Sequence, residues 1–223
     1  MTITRPFLAA TLASLLAACS SGPPVPDWKM NAQSAIERFE AAYLAGRTLV
    51  EQTEFQRARS QVAGTGKVEL IARIELLRCA TRVASLAFEP CTGFEALRED
   101  AGDADRAYAR YLAGTAQPAD AALLPASQRA VAAATSDTQA ASAAAAIKEP
   151  LGKLVAAGVL LRANRATPEL LDMAVTTASD QGWRRPLLAW LGVQRLRAEQ
   201  AGDAPEAQRI ARRMALVGEP PAQ

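Results

Sequence analysis

Three cysteines, 23 carboxylates and no histidine set what chemistry this 223-residue chain can perform. Without an imidazole, Ser-His and Cys-His nucleophile pairs lack their base, and zinc sites, which use imidazole or clustered thiolates, lack their usual ligands. Any catalysis would rest on carboxylates alone, and the residue types call for no cofactor and no metal. The run Gly64-Thr65-Gly66-Lys67 contains a Gly-Lys pair. It lacks the GxxxxGK[ST] spacing and the preceding strand that a phosphate-cradling loop needs, so it marks a turn. Glu75, Arg78 and Arg82 could form a polar site inside a helical core. The competing expectation is solvated pairing, with Glu69–Arg73 and Glu75–Arg78 at helical spacing contributing a few tenths of a kcal/mol each. No catalytic residue is assigned.

Cys19 has a different context. Arg5 and the amino terminus make a short positive region, and Phe7 to Leu16 is an apolar run too short for the roughly 20 residues a bilayer span needs. Leu16-Ala17-Ala18-Cys19 follows directly. These residues resemble the lipobox of bacterial lipoproteins. The resemblance implies a signal peptide over residues 1–18, cleavage before Cys19, and diacylglyceryl and acyl groups on that cysteine. Several chains at about 0.8 kcal/mol per buried methylene would hold the protein to a membrane stably, where one chain would not. Ser20 rather than Asp follows the cysteine. By resemblance to the sorting rule of enterobacterial lipoproteins, that places the anchor in the outer membrane, facing the periplasm. Residues 19–27 then form a lipidated, Pro-rich tether at about 3 Å per residue. The folded domain spans 28–219.

In that oxidising compartment the two remaining thiols, Cys79 and Cys91, are expected to form a disulfide. A straight helix of about 1.5 Å rise per residue would hold them too far apart, because bridged Cα atoms lie about 4.4–6.8 Å from each other. The bridge therefore requires the helix carrying Cys79 to stop near Ser85 or Leu86, short of the limit near Phe88 that its apolar periodicity allows.

Removing residues 1–18 takes only Arg5 among the charged side chains and leaves 24 basic against 23 acidic residues. A net charge near zero argues against nucleic-acid binding. Helix signals recur along the mature chain and strand signals do not. Asp27 is expected to cap a helix through Trp28, Ala32, Ile36, Phe39 and Tyr43 to Gly46. A second helix runs from Thr48 to Ala63, with Leu49 or Val50, Phe55, Ala58 and Val62 on its apolar side. The helix from Lys67 to Phe88 carries two overlapping apolar stripes and should lie at the centre of the core. Thr92 and Glu95 have the capping-box spacing, and residues 104–113 form a further helix.

Pro118 and Pro125 mark a boundary before the Ala-rich stretch 126–147, for which packed helices broken near Thr135 to Asp137 are favoured over a mobile insertion. Leu151 to Leu161 has the length of a buried helix. Thr167-Pro168-Glu169 opens another that stops at Gly182. A helix from Pro186 turns Leu187, Trp190, Leu191 and Leu196 inward, and Asp203 with Glu206 caps the last one.

Gly46, Phe55 and Ala58 fall at spacings that resemble a tetratricopeptide (TPR) repeat, with Glu51 where that family usually has alanine. The turn recurs as Ala101-Gly102-Asp103-Ala104 and Ala201-Gly202-Asp203-Ala204, each followed by Ala107 or Ala207. The intervals of 56 and 100 residues are not multiples of the repeat's 34 or so. The fold class expected is all-α, with antiparallel helical hairpins in an irregular, TPR-like array.

Arg209, Arg212 and Arg213 share one face of the last helix, near Arg184, Arg185, Arg195 and Arg197 in sequence. They are the weak candidates for a partner-binding surface, set against a solvated helix face. The function expected is an outer-membrane lipoprotein serving as a periplasmic protein-interaction or scaffolding module with an envelope protein partner. The alternatives are a carboxylate-based peptidoglycan hydrolase and a lipid or glycolipid carrier. The anchor has a direct test. Cys19→Ala should yield an uncleaved or soluble precursor, whereas the wild type partitions into detergent and incorporates palmitate; unlabelled wild-type protein free in the periplasm would refute lipidation.

Overall fold

A computed structural model describes residues 24–218. The signal segment and Cys19 lie outside the described residues. Among those residues the chain is entirely helical, without a strand. The elements are α1 (Asp27–Leu44), α2 (Thr48–Ala63), α3 (Val68–Ala84), the single turn α4 (Thr92–Glu95), α5 (Asp103–Leu112), a 3-10 segment (Pro118–Leu123), α6 (Ala126–Ala132), α7 (Asp137–Ala146), α8 (Pro150–Arg162), α9 (Pro168–Asp180), α10 (Arg184–Gln200) and α11 (Ala204–Gly218). No helix among them is long and apolar enough to cross a membrane.

Among the described residues, the first helices and the last ones are antiparallel neighbours. Between α1 and α2 the Phe39 and Phe55 rings meet edge to face at 5.7 Å, and Arg38 reaches Glu54 at 2.8 Å. Gly46, at φ +83°, makes the turn between them. α9, α10 and α11 follow the same up-and-down course, with Gln194 donating to Asp172 at 2.7 Å and Arg213 to Ser179 at 3.3 Å. The turn at Gly102 differs. It joins the one-turn α4 to α5, and Gly102 has an extended φ of −70°, so only two of the three recurring turns join a pair of long helices.

α3 is the central helix, packed against α1, α2, α4, α5 and α8. Its Leu76, Ala80 and Val83 enter the main core, while Ile74 enters a smaller cluster with Phe39 and Phe55 under the first hairpin. The approach of α8 is unusually close. A Cβ at Gly158 would overlap the Val83 carbonyl, so glycine is required there for backbone-to-backbone packing. Trp190 of α10 is fully buried and donates its indole N–H to the Ala84 carbonyl at 3.0 Å.

α3 ends at Ala84, with Leu86 in the left-handed region at φ +59°. The periodicity that extended it toward Phe88 is overridden, and the stop near Ser85 or Leu86 demanded by the disulfide is met. The chain doubles back and brings the Cα atoms of Cys79 and Cys91 to 5.9 Å in a disulfide. Closing a loop of this size stabilises the fold by about 3 kcal/mol in the chain-entropy model.

Other expectations are corrected. Asp27 is the first helical residue and Pro26 the N-cap, so Asp27 acts through the helix dipole without a capping bond. Leu49 is 79% exposed and Val50 is also exposed, while Glu51 and Glu54 occupy the buried stripe of α2. Leu196 faces solvent. Thr92 makes no capping bond, and Glu95 turns to Arg98 at 2.6 Å instead. Pro118 and Pro125 do not separate units, because Arg110 of α5 clamps Asp120 of the 3-10 segment through Nε at 2.9 Å.

The Ala-rich stretch packs as α6 and α7, with Ala140 and Ala144 fully buried and Ser136 capping α7. Thr167 caps α9 by accepting from Leu170 N–H at 3.3 Å. The Gly64–Lys67 run is a turn, in which Thr65 donates to Val62 O and accepts from Lys67 N–H. Gly158→Ala should destabilise the protein by about 1–3 kcal/mol or more, the range for overpacking a filled core, because the obstructing group is backbone. Chemical denaturation checks this, with Gly218→Ala, at a glycine that has open space, as the neutral control.

Candidate functional site

A buried ion network on α2 and α3, a half-buried carboxyl on α1 and a surface groove beside α6 and α8 are arrangements that can bear function.

The ion network begins at Glu51, 1% exposed, whose carboxylate accepts from Arg78 Nε at 2.7 Å and Nη2 at 3.3 Å. The Arg78 guanidinium lies 4.1 Å from the centroid of the Phe55 ring. Glu75 is buried as well, pairs with Arg59 at 3.2 Å, and has its pKa raised by burial against the pull of Arg59, Arg78 and Arg82. Gly93 packs onto the Glu75 carboxylate with no room for a Cβ. Arg73 pairs with Asp105 of α5 at 3.2 Å.

The solvated pairs expected along α3 are thus replaced by pairs between helices, because Glu75 faces inward and Arg73 reaches across to α5. The enclosed Glu51 and its partner position helices. They present no open carboxylate to a substrate.

Glu40 of α1 differs from these. Burial, with Glu149 and Glu37 nearby, raises its pKa to about 7. The Glu149 carboxylate is the N-cap of α8, accepting from Leu151 N–H at 2.8 Å and from Gly152 N–H. Burial also raises the pKa of Tyr108, with Glu149 and Glu40 adding to the effect. Residue type and spacing carried no signal of this carboxyl pair, whose members lie 109 positions apart. Neither acid lines the groove.

That groove, of about 510 Å³, runs between the segment after α5, α6 and the C-terminal half of α8. Its wall is made largely of small side chains, among them Ala116, Ala121, Ala132 and Ala163, over a floor of Val131 and Leu160. Methyl groups occupy little volume, so helices lined with alanine leave a concavity where larger residues would fill it. Arg165 closes one end, donating to Asp137 at 2.8 Å and to the Ala134 carbonyl at 3.1 Å. Buried Gln128 braces the neighbouring helices, accepting from Tyr111 Oη at 2.8 Å and donating to the Gly152 carbonyl at 3.1 Å.

The arginines of the C-terminal region are mostly engaged. Arg209 pairs with Glu206 at 2.6 Å, Arg213 donates to Ser179, and Arg195 pairs with Glu199 at 2.8 Å. Arg185 donates to the Tyr43 carbonyl and Thr48, and Arg197 to the Ala166 carbonyl. Arg212 is exposed. Among the described residues no three His, Cys, Asp or Glu side chains cluster as a metal site would require.

The raised pKa of Glu40 has a definite sign in stability. A carboxyl whose pKa rises above its ordinary value on folding favours the folded state while protonated. That contribution is complete below about pH 4.5 and is lost as the pH climbs to about 7. Glu40→Gln should therefore leave stability near pH 5 little changed and raise it at pH 8 by about 1–3 kcal/mol, at about 1.4 kcal/mol per decade. Urea titrations at the two pH values decide this, and parallel losses in both proteins would refute it.

No family model, curated protein or solved structure matches this chain.

Proposed function

We propose that this protein is a lipid-anchored envelope module of TPR-like helical hairpins that binds a partner protein through the groove beside α6 and α8. The groove carries the reading. It is open to solvent and mainly apolar, and its volume of about 510 Å³ can take the apolar side chains of a short segment of another protein. The Leu16-Ala17-Ala18-Cys19 motif supports an anchor in the outer membrane with the domain facing the periplasm. A disulfide between the two remaining cysteines suits an oxidising compartment. Arg212, exposed on α11, is the member of the C-terminal basic set best available to an acidic partner.

A second reading rests on Glu40. A carboxyl whose pKa is raised to about 7, by burial first and by the charge of Glu149 second, has the property that glycoside hydrolases use for their general acid. Glu149 is held by the N-terminus of α8, which ties it to a structural task. The two readings separate experimentally. Crosslinking in the native envelope should capture a defined partner through the wild-type domain. Ala132→Glu, which puts a charge in the groove wall, should weaken that capture at least tenfold, about 1.4 kcal/mol. The purified domain should release no soluble muropeptide from murein. Release that is abolished by Glu40→Gln would establish the hydrolase instead.

A further inference from the structure

We propose that a second cavity, enclosed by α3, α4, α5 and α8 beside the Cys79–Cys91 disulfide, binds a small organic oxyanion, a carboxylate or phosphate attached to a short apolar group. The cavity has a volume of about 280 Å³. Four arginines from four parts of the chain line it: Arg82 of α3, Arg98 just after α4, Arg110 of α5 and Arg162 of α8. Glu89 and Glu95 line it with them, and Asp120 neutralises Arg110 from outside the lining, so the cavity keeps a surplus of one positive charge in a protein whose overall charge is near neutral.

The arginines differ in how far they are already used. Arg98 is clamped by Glu95 with both contacts at 2.6 Å, and Arg110 by Asp120, whose carboxyl is held down to about 2 by the Arg110 hydrogen bonds and the Gln117 N–H. Arg82 meets carboxylates only at 3.7 Å, to Glu89, and 3.9 Å, to Glu51, donates to the Arg78 carbonyl at a long 3.5 Å, and its side chain is 23% exposed. Arg162 enters no ion pair among the described residues. It donates to the Leu112 carbonyl at 3.3 Å and lies 5.4 Å from the centroid of the Phe88 ring. A guanidinium offers five N–H donors in a planar fork that matches a carboxylate or phosphate. Arg82, with only long contacts, and Arg162, with one hydrogen bond, therefore keep donors for a ligand.

Glu89, Glu95 and Asp120 match three of the four guanidinium charges, the remaining one attracts an anion, and the partly enclosed cavity strengthens that attraction relative to open solvent. The remaining wall sets the rest of the ligand. Leu76, Val83 and Leu112 give an apolar floor, and Thr115 adds a hydroxyl. The disulfide holds the wall that bears Glu89 and Pro90 against α3, which keeps the cavity's shape defined without a ligand. The volume admits a molecule of some ten heavy atoms and excludes a folded chain or a nucleic acid.

Isothermal titration of the purified full-length protein, at constant ionic strength set with chloride, tests the proposal with N-acetylleucine and inorganic phosphate as probes. One site per chain is expected for N-acetylleucine, with a Kd of about 1 mM or tighter, equivalent to about 4 kcal/mol. Acetate should bind more weakly because it lacks the apolar part. Phosphate that outcompetes N-acetylleucine would assign the site to phosphate esters, and the reverse order to carboxylic acids. Arg162→Ala and, separately, Arg82→Ala should each weaken binding about tenfold or more, while Arg209→Ala on α11 leaves it unchanged. Circular dichroism identifies any variant that fails to fold, and the other then supplies the result. Flat titrations with both probes, or equal affinity in folded arginine variants of the cavity, would overturn the assignment.

Discussion

The pairing of Glu51 with Arg78 holds the first half of the molecule in register. A carboxylate withdrawn from water is tolerated only when charge and hydrogen bonds replace its hydration, and the two contacts from Arg78 supply both. The requirement dictates how α2 lies on α3, because a slip of one residue would leave Glu51 buried without its partner. Arg78 in turn covers Phe55, whose ring meets Phe39 of α1, so one ion pair orders three helices. Next to it, Arg82 and Arg185 both approach the Tyr43 ring, at 5.4 and 4.4 Å, and Arg185 brings α10 against the first hairpin. Such pairs contribute little net stability compared with an apolar replacement. Their effect is to penalise other arrangements.

Elsewhere the arginines act as clamps on backbone carbonyls. Arg129, Arg162, Arg165, Arg185 and Arg197 each donate to a main-chain oxygen, four of them across more than 30 positions of sequence. Loops between short helices leave carbonyls without helical partners, and a long side chain with several donors can satisfy them where no strand or second helix does. Together with the pairs of Arg195 with Glu199 and Arg209 with Glu206, this leaves a chain rich in arginine with little free positive surface on α10 and α11.

Alanine has the complementary effect. Ala35, Ala58, Ala72 and Ala156 are wholly buried and let helices approach closely. The extreme is Gly158 against the Val83 carbonyl. The same small side chains on α6 and α8 leave the groove open, so one compositional bias produces both the tight core and the concave surface.

What the amino-acid sequence determined by itself is therefore the local part. Helical periodicity, the proline and glycine stops, and the Thr167 cap placed most of the helices, because these signals act over a few residues and do not depend on partners. The Cys79–Cys91 bridge was legible too. Bridged Cα atoms must lie close, and that constraint stopped α3 where apolar spacing alone would have continued it. Tertiary structure decided the faces of α2, where Glu51 and Glu54 are buried and Leu49 is not, because the ion pairs that compensate the carboxylates come from Arg78 on α3 and Arg38 on α1. It also decided the sites. The carboxyls of Glu40 and Glu149, the arginines around the disulfide and the alanines of the groove lie far apart along the chain, and no local pattern could have united them before the helices packed.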